Sequence, residues 1–97
     1  MEKFVYLNNL YDLYGNLLTE KQQNYFEDYY FNNYSYGEIA DKYKISRNAI
    51  FHQLKLIEDK LNFYEEKLKL FNKKNIINDI IVRVKDNKIK EELEELF

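Results

Sequence analysis

Seven apolar residues, Ile50, Leu54, Ile57, Leu61, Tyr64, Leu68 and Phe71, follow one another at spacings of four and three. That is an uninterrupted heptad seam, and an α-helix keeps such residues on one face. Leu56, Phe63 and Leu70 repeat every seven residues and widen the stripe. Counted from residue 47, this predicts a helix of about 25 residues, roughly 37 Å long at about 1.5 Å per residue. A face of that length demands cover. With no Pro and only 2 Gly in 97 residues, the cover must come from helices joined by short turns. The chain is expected to be all-α.

The seam grows out of a second feature. Residues 35–58, SYGEIADKYKISRNAIFHQLKLIE, read as a helix-turn-helix. Ser35 with Glu38 three residues on forms a capping box that opens a short helix. Ile39, Ala40 and Tyr43 give that helix one apolar face, with Ala40 small where two helices cross closely. Lys44-Ile45 breaks the pattern, Ile45 tucks beneath the turn, and Ser46 caps the next helix. On that second helix Ile50 and Leu54 face inward. Arg47, Asn48, Phe51, His52 and Lys55 are left facing outward. In a DNA-binding helix-turn-helix the start of the second helix enters the major groove. There Arg pairs with guanine, Asn with adenine, and Phe touches a thymine methyl. Lys42, Lys44 and Lys55 are the candidates for phosphate contact.

The segment Leu18–Lys55, with LLTEKQQNYFEDYY and then SYGEIADKYKISRNAI, resembles region 4 of bacterial sigma factors. More closely, it resembles the YlxM family of small sigma-region-4-like proteins. In that family a TEKQ…YY…SYGEIA…SR.A core precedes a long helix with an EEKL segment, matched here by Glu65-Glu66-Lys67-Leu68. The resemblance covers about residues 1–75. It implies a helical module of four helices, a long fourth helix, and a link to the signal recognition particle pathway. Two positions depart from the pattern. Lys44 stands where Gly is usual for a left-handed turn, and His52-Gln53 is unusual for the family.

The rest of the chain fits around this core. Residues 2–14 carry Phe4, Leu7, Leu10, Tyr11 and Tyr14 at helical spacing. Gly15 is a natural C-terminal cap, and Leu17 and Leu18 are expected to anchor in the core. Thr19 with Gln22 is a further capping box, opening a helix over 20–32 whose apolar face is Tyr25, Phe26, Tyr29 and Tyr30. Asn32-Asn33-Tyr34 makes the next turn. Helices near 75–85 (Ile76, Ile77, Ile80, Ile81, Val84) and 87–97 (Ile89, Leu93, Leu96, Phe97) complete the chain. Asn72–Asn75 and Asp86-Asn87 connect them. Two covers for the far half of the seam remain open, the C-terminal helices or a second copy of the chain. A homodimer is expected, with Ile57, Leu61, Tyr64, Leu68 and Phe71 as its contact face. The whole reads as one helical domain, 1–97, with a helix-turn-helix core over 19–60 and a dimerising extension over 61–97.

Composition narrows the function. There is no Cys and 1 His, which removes thiol chemistry and multi-histidine metal sites. No Gly-rich phosphate loop and no nucleophile–base pair is present, so no enzyme activity, cofactor or small-molecule substrate is expected. The N-terminus lacks signal-peptide features and no apolar run approaches the ~20 residues of a membrane span, which points to the cytoplasm. His52 reads first as an ordinary surface histidine, and the 10 Tyr read as packing groups.

The net charge is −2, thin support for phosphate binding. Locally, residues 42–60 carry five Lys and Arg against two acids, a net +3, while Glu91, Glu92, Glu94 and Glu95 make an acidic end. Two functions follow. One is a DNA-binding regulator that inserts the helix starting at Arg47. The other, implied by the resemblance, is a regulator of the signal recognition particle, whose helix-turn-helix is a scaffold for a protein or RNA partner.

Overall fold

The computed structural model describes residues 2–97. It folds them into α1 (Lys3–Tyr14), α2 (Glu20–Tyr30), α3 (Tyr36–Tyr43), α4 (Arg47–Leu68), α5 (Leu70–Arg83) and α6 (Asn87–Glu94). Among the described residues there is no strand, and no helix is long and apolar enough to cross a membrane.

The capping signals set the helix starts. The Thr19 hydroxyl accepts from the Gln22 backbone N–H while the Gln22 side chain accepts from the Thr19 N–H, and Ser35 and Glu38 repeat the arrangement. Ser46 caps α4 by accepting from the Ala49 N–H. Gly15 closes α1, but in right-handed geometry, and it opens a 3-10 turn over Gly15–Leu17. Glycine suits the position because a Cβ would lie a tight 3.1 Å from the Tyr11 ring. Leu18 anchors in the core as expected, whereas Leu17 is exposed.

The core is a cluster drawn from the first four helices. Leu7, Leu10 and Tyr14 of α1 meet Tyr25 and Phe26 of α2, Ile39 and Ala40 of α3, and Ile50, Leu54, Ile57 and Leu61 of α4. The Tyr11 and Phe26 rings stack at 4.2 Å and 8°. Two expectations need correction here. Ile57 and Leu61 are 0% exposed. Helices α1 and α2 cover them within the chain, so they cannot form the surface of a dimer. Tyr64 is also partly enclosed, against Tyr14 at 5.9 Å, and Phe71 against Tyr6 at 5.7 Å. Leu68 remains exposed.

The second correction concerns the seam itself. It is interrupted at Lys69, which takes the left-handed conformation (φ 56°) and separates α4 from α5. The Glu65 carboxylate makes the corner. It accepts from the backbone N–H groups of Phe71 (3.0 Å) and Asn72 (3.1 Å), which satisfies the start of α5. The Tyr14 hydroxyl donates to Glu65 at 2.6 Å and accepts from the Leu70 N–H at 3.0 Å. With its first turn held this way, α5 begins five residues earlier than its apolar pattern suggests, and Asn72–Asn75 are helical rather than a connection. The last helix starts where expected, capped by Asp86, and ends at Glu94.

Candidate nucleic-acid interface

The helix-turn-helix is formed by α3, a turn over residues 44–46, and the first turns of α4. Lys44 occupies the turn in left-handed geometry (φ 57°, ψ 46°), and both its N–H and that of Ile45 bond to the Ala40 carbonyl. The turn therefore keeps the shape for which Gly is usual, and Lys44 bears the conformational cost. Ile50 and Leu54 are buried, while Arg47, Asn48, Phe51, His52 and Lys55 are exposed together on α4. Positions 47, 51 and 55 lie one turn apart, so an arginine, a phenylalanine and a lysine form one row with Asn48 and His52 beside it.

Two features hold this row in place. The Arg47 guanidinium lies across the start of α3. A Cβ on Gly37 would come within 3.0 Å of Nε and one terminal nitrogen of Arg47. Phe51 rests edge-on against Tyr36 at 6.0 Å, and Tyr36 stacks on Tyr29 at 5.1 Å, which in turn meets Phe4 at 6.0 Å. This aromatic chain ties the exposed end of α4 to α3, α2 and α1. His52 sits against Phe51 at 5.6 Å.

The lysines differ in their engagements. Lys42 bonds both carboxylate oxygens of Asp28 at 3.1 Å. Asp28 is 4% exposed and also accepts from Tyr43 (2.8 Å) and Asn32 (3.2 Å). Lys42 thus neutralises a buried carboxylate and ties α3 to α2. Lys55 pairs with Asp59 at 3.7 Å, an exposed and weak contact. Lys60 reaches Gln22, and Glu58 is engaged by Lys3 at 2.9 Å. Among the described residues, Lys44 and Arg47 carry no ion pair. Of the basic residues between 42 and 60 they are the two with no ion pair or side-chain hydrogen bond to another residue. Asp28, Gly37 and Tyr36 escaped the sequence reading. Asp28 lies 14 residues before Lys42, a separation at which no periodic pattern pairs two side chains.

Burial pushes the Asp28 carboxyl up, but the bonds from Lys42, Tyr43 and Asn32 outweigh it and hold the group below its ordinary value of 3.8. A depressed pKa favours the folded state above the unfolded value, and that contribution is lost as pH falls below 3.8 through the folded value. Asp28→Asn is expected to lower stability at neutral pH by about 1–2 kcal/mol. It should also flatten the acid limb of the stability curve, measured by urea unfolding at neutral pH and in acid. An unchanged acid limb would show that Asp28 contributes nothing there.

Comparison with known proteins agrees with this architecture. The family model of the YlxM / p13-like helix-turn-helix proteins, UPF0122, matches residues 1–96. A UPF0122 protein of Caldanaerobacter subterraneus is 46% identical over 85 residues, covering 88% of this chain and 73% of that protein. One from Geobacillus kaustophilus is 46% identical over 86 residues, covering 89% and 78%. One from Bacillus pumilus is 42% identical over 101 residues, covering the whole of this chain and 92% of its own. With its helix-turn-helix, its long fourth helix and a match across nearly its full length, the chain belongs to the YlxM / p13-like helix-turn-helix family.

Proposed function

We propose that the protein is a DNA-binding regulator that reads duplex DNA with the first turns of α4. The observation that carries this reading is the exposed row Arg47, Asn48, Phe51, His52 and Lys55, set on a helix whose opposite side is locked into the core. Arg47 is assigned to guanine, Asn48 to adenine and Phe51 to a thymine methyl. Lys44 and Lys55 are assigned to phosphates. His52 lies beside the row as a contact of lower weight. Lys42 acts through Asp28, holding α3 in place. In a homodimer two such helices would meet half-sites about one helical turn apart.

Arg47→Ala is expected to weaken binding to a selected duplex by ~1–3 kcal/mol, with selectivity relaxed at one base pair. Gly37→Ala provides an independent test of placement. The added methyl crowds the Arg47 guanidinium and makes it yield by a few tenths of an ångström, while alanine is the better helix former in this first turn of α3. Affinity should fall with no loss of thermal stability. Full affinity in both variants would remove Arg47 from the interface.

A second reading is that the same surface of α4 contacts a protein or RNA partner in the signal recognition particle pathway, and the helix-turn-helix is a scaffold. The net charge of −2, which weakens binding to any phosphate backbone, favours the protein-partner form of it over DNA reading. Recovery of particle components with the protein from native cells, undiminished by nuclease treatment that removes DNA, would favour it over DNA reading.

A further inference from the structure

Helices α5 and α6 contain no buried residue. Isolated helices of 14 and 8 residues are marginal in water, because helix stability in proteins comes mainly from packing an apolar face. Yet both helices carry apolar residues and leave them open, Ile76 (52% exposed) and Val82 (82%) on α5 and Ile89 (47%) on α6, with Leu96 (60%) and Phe97 (48%) just beyond it. Only the start of α5 is docked on the core, through Leu70 and Phe71, and beyond it α5 and α6 contact each other. The molecule measures 55 × 25 × 24 Å, so its length is more than twice its width.

The charges say what fits this surface. Residues 69–85 carry five Lys and Arg against one Asp, a net +4, and residues 86–97 carry five acids against two Lys, a net −3. Among the described residues the one ion pair in this region is Arg83–Asp79, within α5, and none joins α6 to α5. A basic helix followed by an acidic one, each with open apolar residues, is complementary to itself under a two-fold axis.

We propose that α5 and α6 form a dimerisation arm, packed antiparallel on the arm of a second copy so that the acidic α6 of each chain lies on the basic α5 of the other. This deepens the homodimer reading above, moving its contact face from the α4 seam to the arm, and it does not depend on DNA binding. Mass measurement by sedimentation or light scattering tests it on the full chain. The wild-type protein should run at twice 12.0 kDa. Ile76→Glu should raise the dimer dissociation constant at least roughly 100-fold, as for a central interface residue. Lys73→Glu/Lys74→Glu and Glu91→Lys/Glu92→Lys should each be monomeric alone, because each brings like charges together. Mixed, they should form a heterodimer, which also shows that both variants are folded. A monomeric wild type would overturn the homodimer and the arm together. A wild-type dimer unchanged by all three variants would leave the homodimer standing and overturn the arm. Two monomeric charge variants that fail to pair when mixed would overturn the antiparallel arrangement.

Discussion

Leu61→Ala is expected to cost the fold about 2–5 kcal/mol, the range for truncating a fully buried leucine. Leu61 is 0% exposed and is the last of the four buried residues of α4. The loss combines the transfer energy of the missing carbons with the cavity they leave. Whole domains are stable by only about 5–15 kcal/mol, so this is a large fraction of the total. Urea unfolding followed by tyrosine fluorescence should show a lower midpoint with an unchanged slope. The experiment also separates two roles for the seam. Were Leu61 a dimer contact, the substitution would shift the monomer–dimer equilibrium and leave the unfolding of the dissociated chain untouched.

Glu65→Ala should be the second largest effect, at about 2–3 kcal/mol. The side chain carries out the function of an N-cap for α5 from outside the helix. One oxygen takes the Tyr14 hydroxyl and the Phe71 N–H, and the other takes the Asn72 N–H. Removing it leaves the N-terminal donors of α5 without their carboxylate and the Tyr14 hydroxyl without its acceptor. A lost cap costs typically ~1 kcal/mol, and a hydrogen bond to a charged group about 1.5–3 kcal/mol. Glu65→Gln, which keeps an acceptor but not the charge, should recover part of the loss. Burial and the bond to Glu65 push the Tyr14 phenol up to about 12. In Glu65→Ala its phenolate should therefore appear at lower pH in an ultraviolet titration. An alanine variant with wild-type stability and an unmoved Tyr14 would refute this account of the corner.

Much of this was legible in the chain because it is local. Both capping boxes, the Ser46 cap and the inward pair Ile50 and Leu54 are set by residues within four positions of one another. Asn33 (φ 61°) marks its turn because asparagine tolerates left-handed geometry. What escaped the sequence is the result of contacts between distant segments. The break at Lys69 depends on Tyr14, 51 residues before the Glu65 it bonds. The heptad spacing continues through that break, so periodicity gave no sign of it. The seam also reads the same whether its cover is a second chain or α1 and α2, and only the fold shows that Ile57 and Leu61 are taken within the chain. At the candidate interface the outward row was readable from helical spacing. The seat of Arg47 on Gly37 and the commitment of Lys42 to Asp28 were not, because nothing in the spacing pairs those positions.

The most direct test of DNA reading by α4 is binding of the purified protein to fragments of its own genome at low and moderate salt, with Arg47→Ala/Lys55→Ala as control. DNA reading predicts enrichment of defined fragments, an affinity that falls steeply with salt, and loss of both in the control. No binding at low salt, or binding that ignores sequence and survives in the control, would contradict it and leave the helix-turn-helix as a scaffold for another partner.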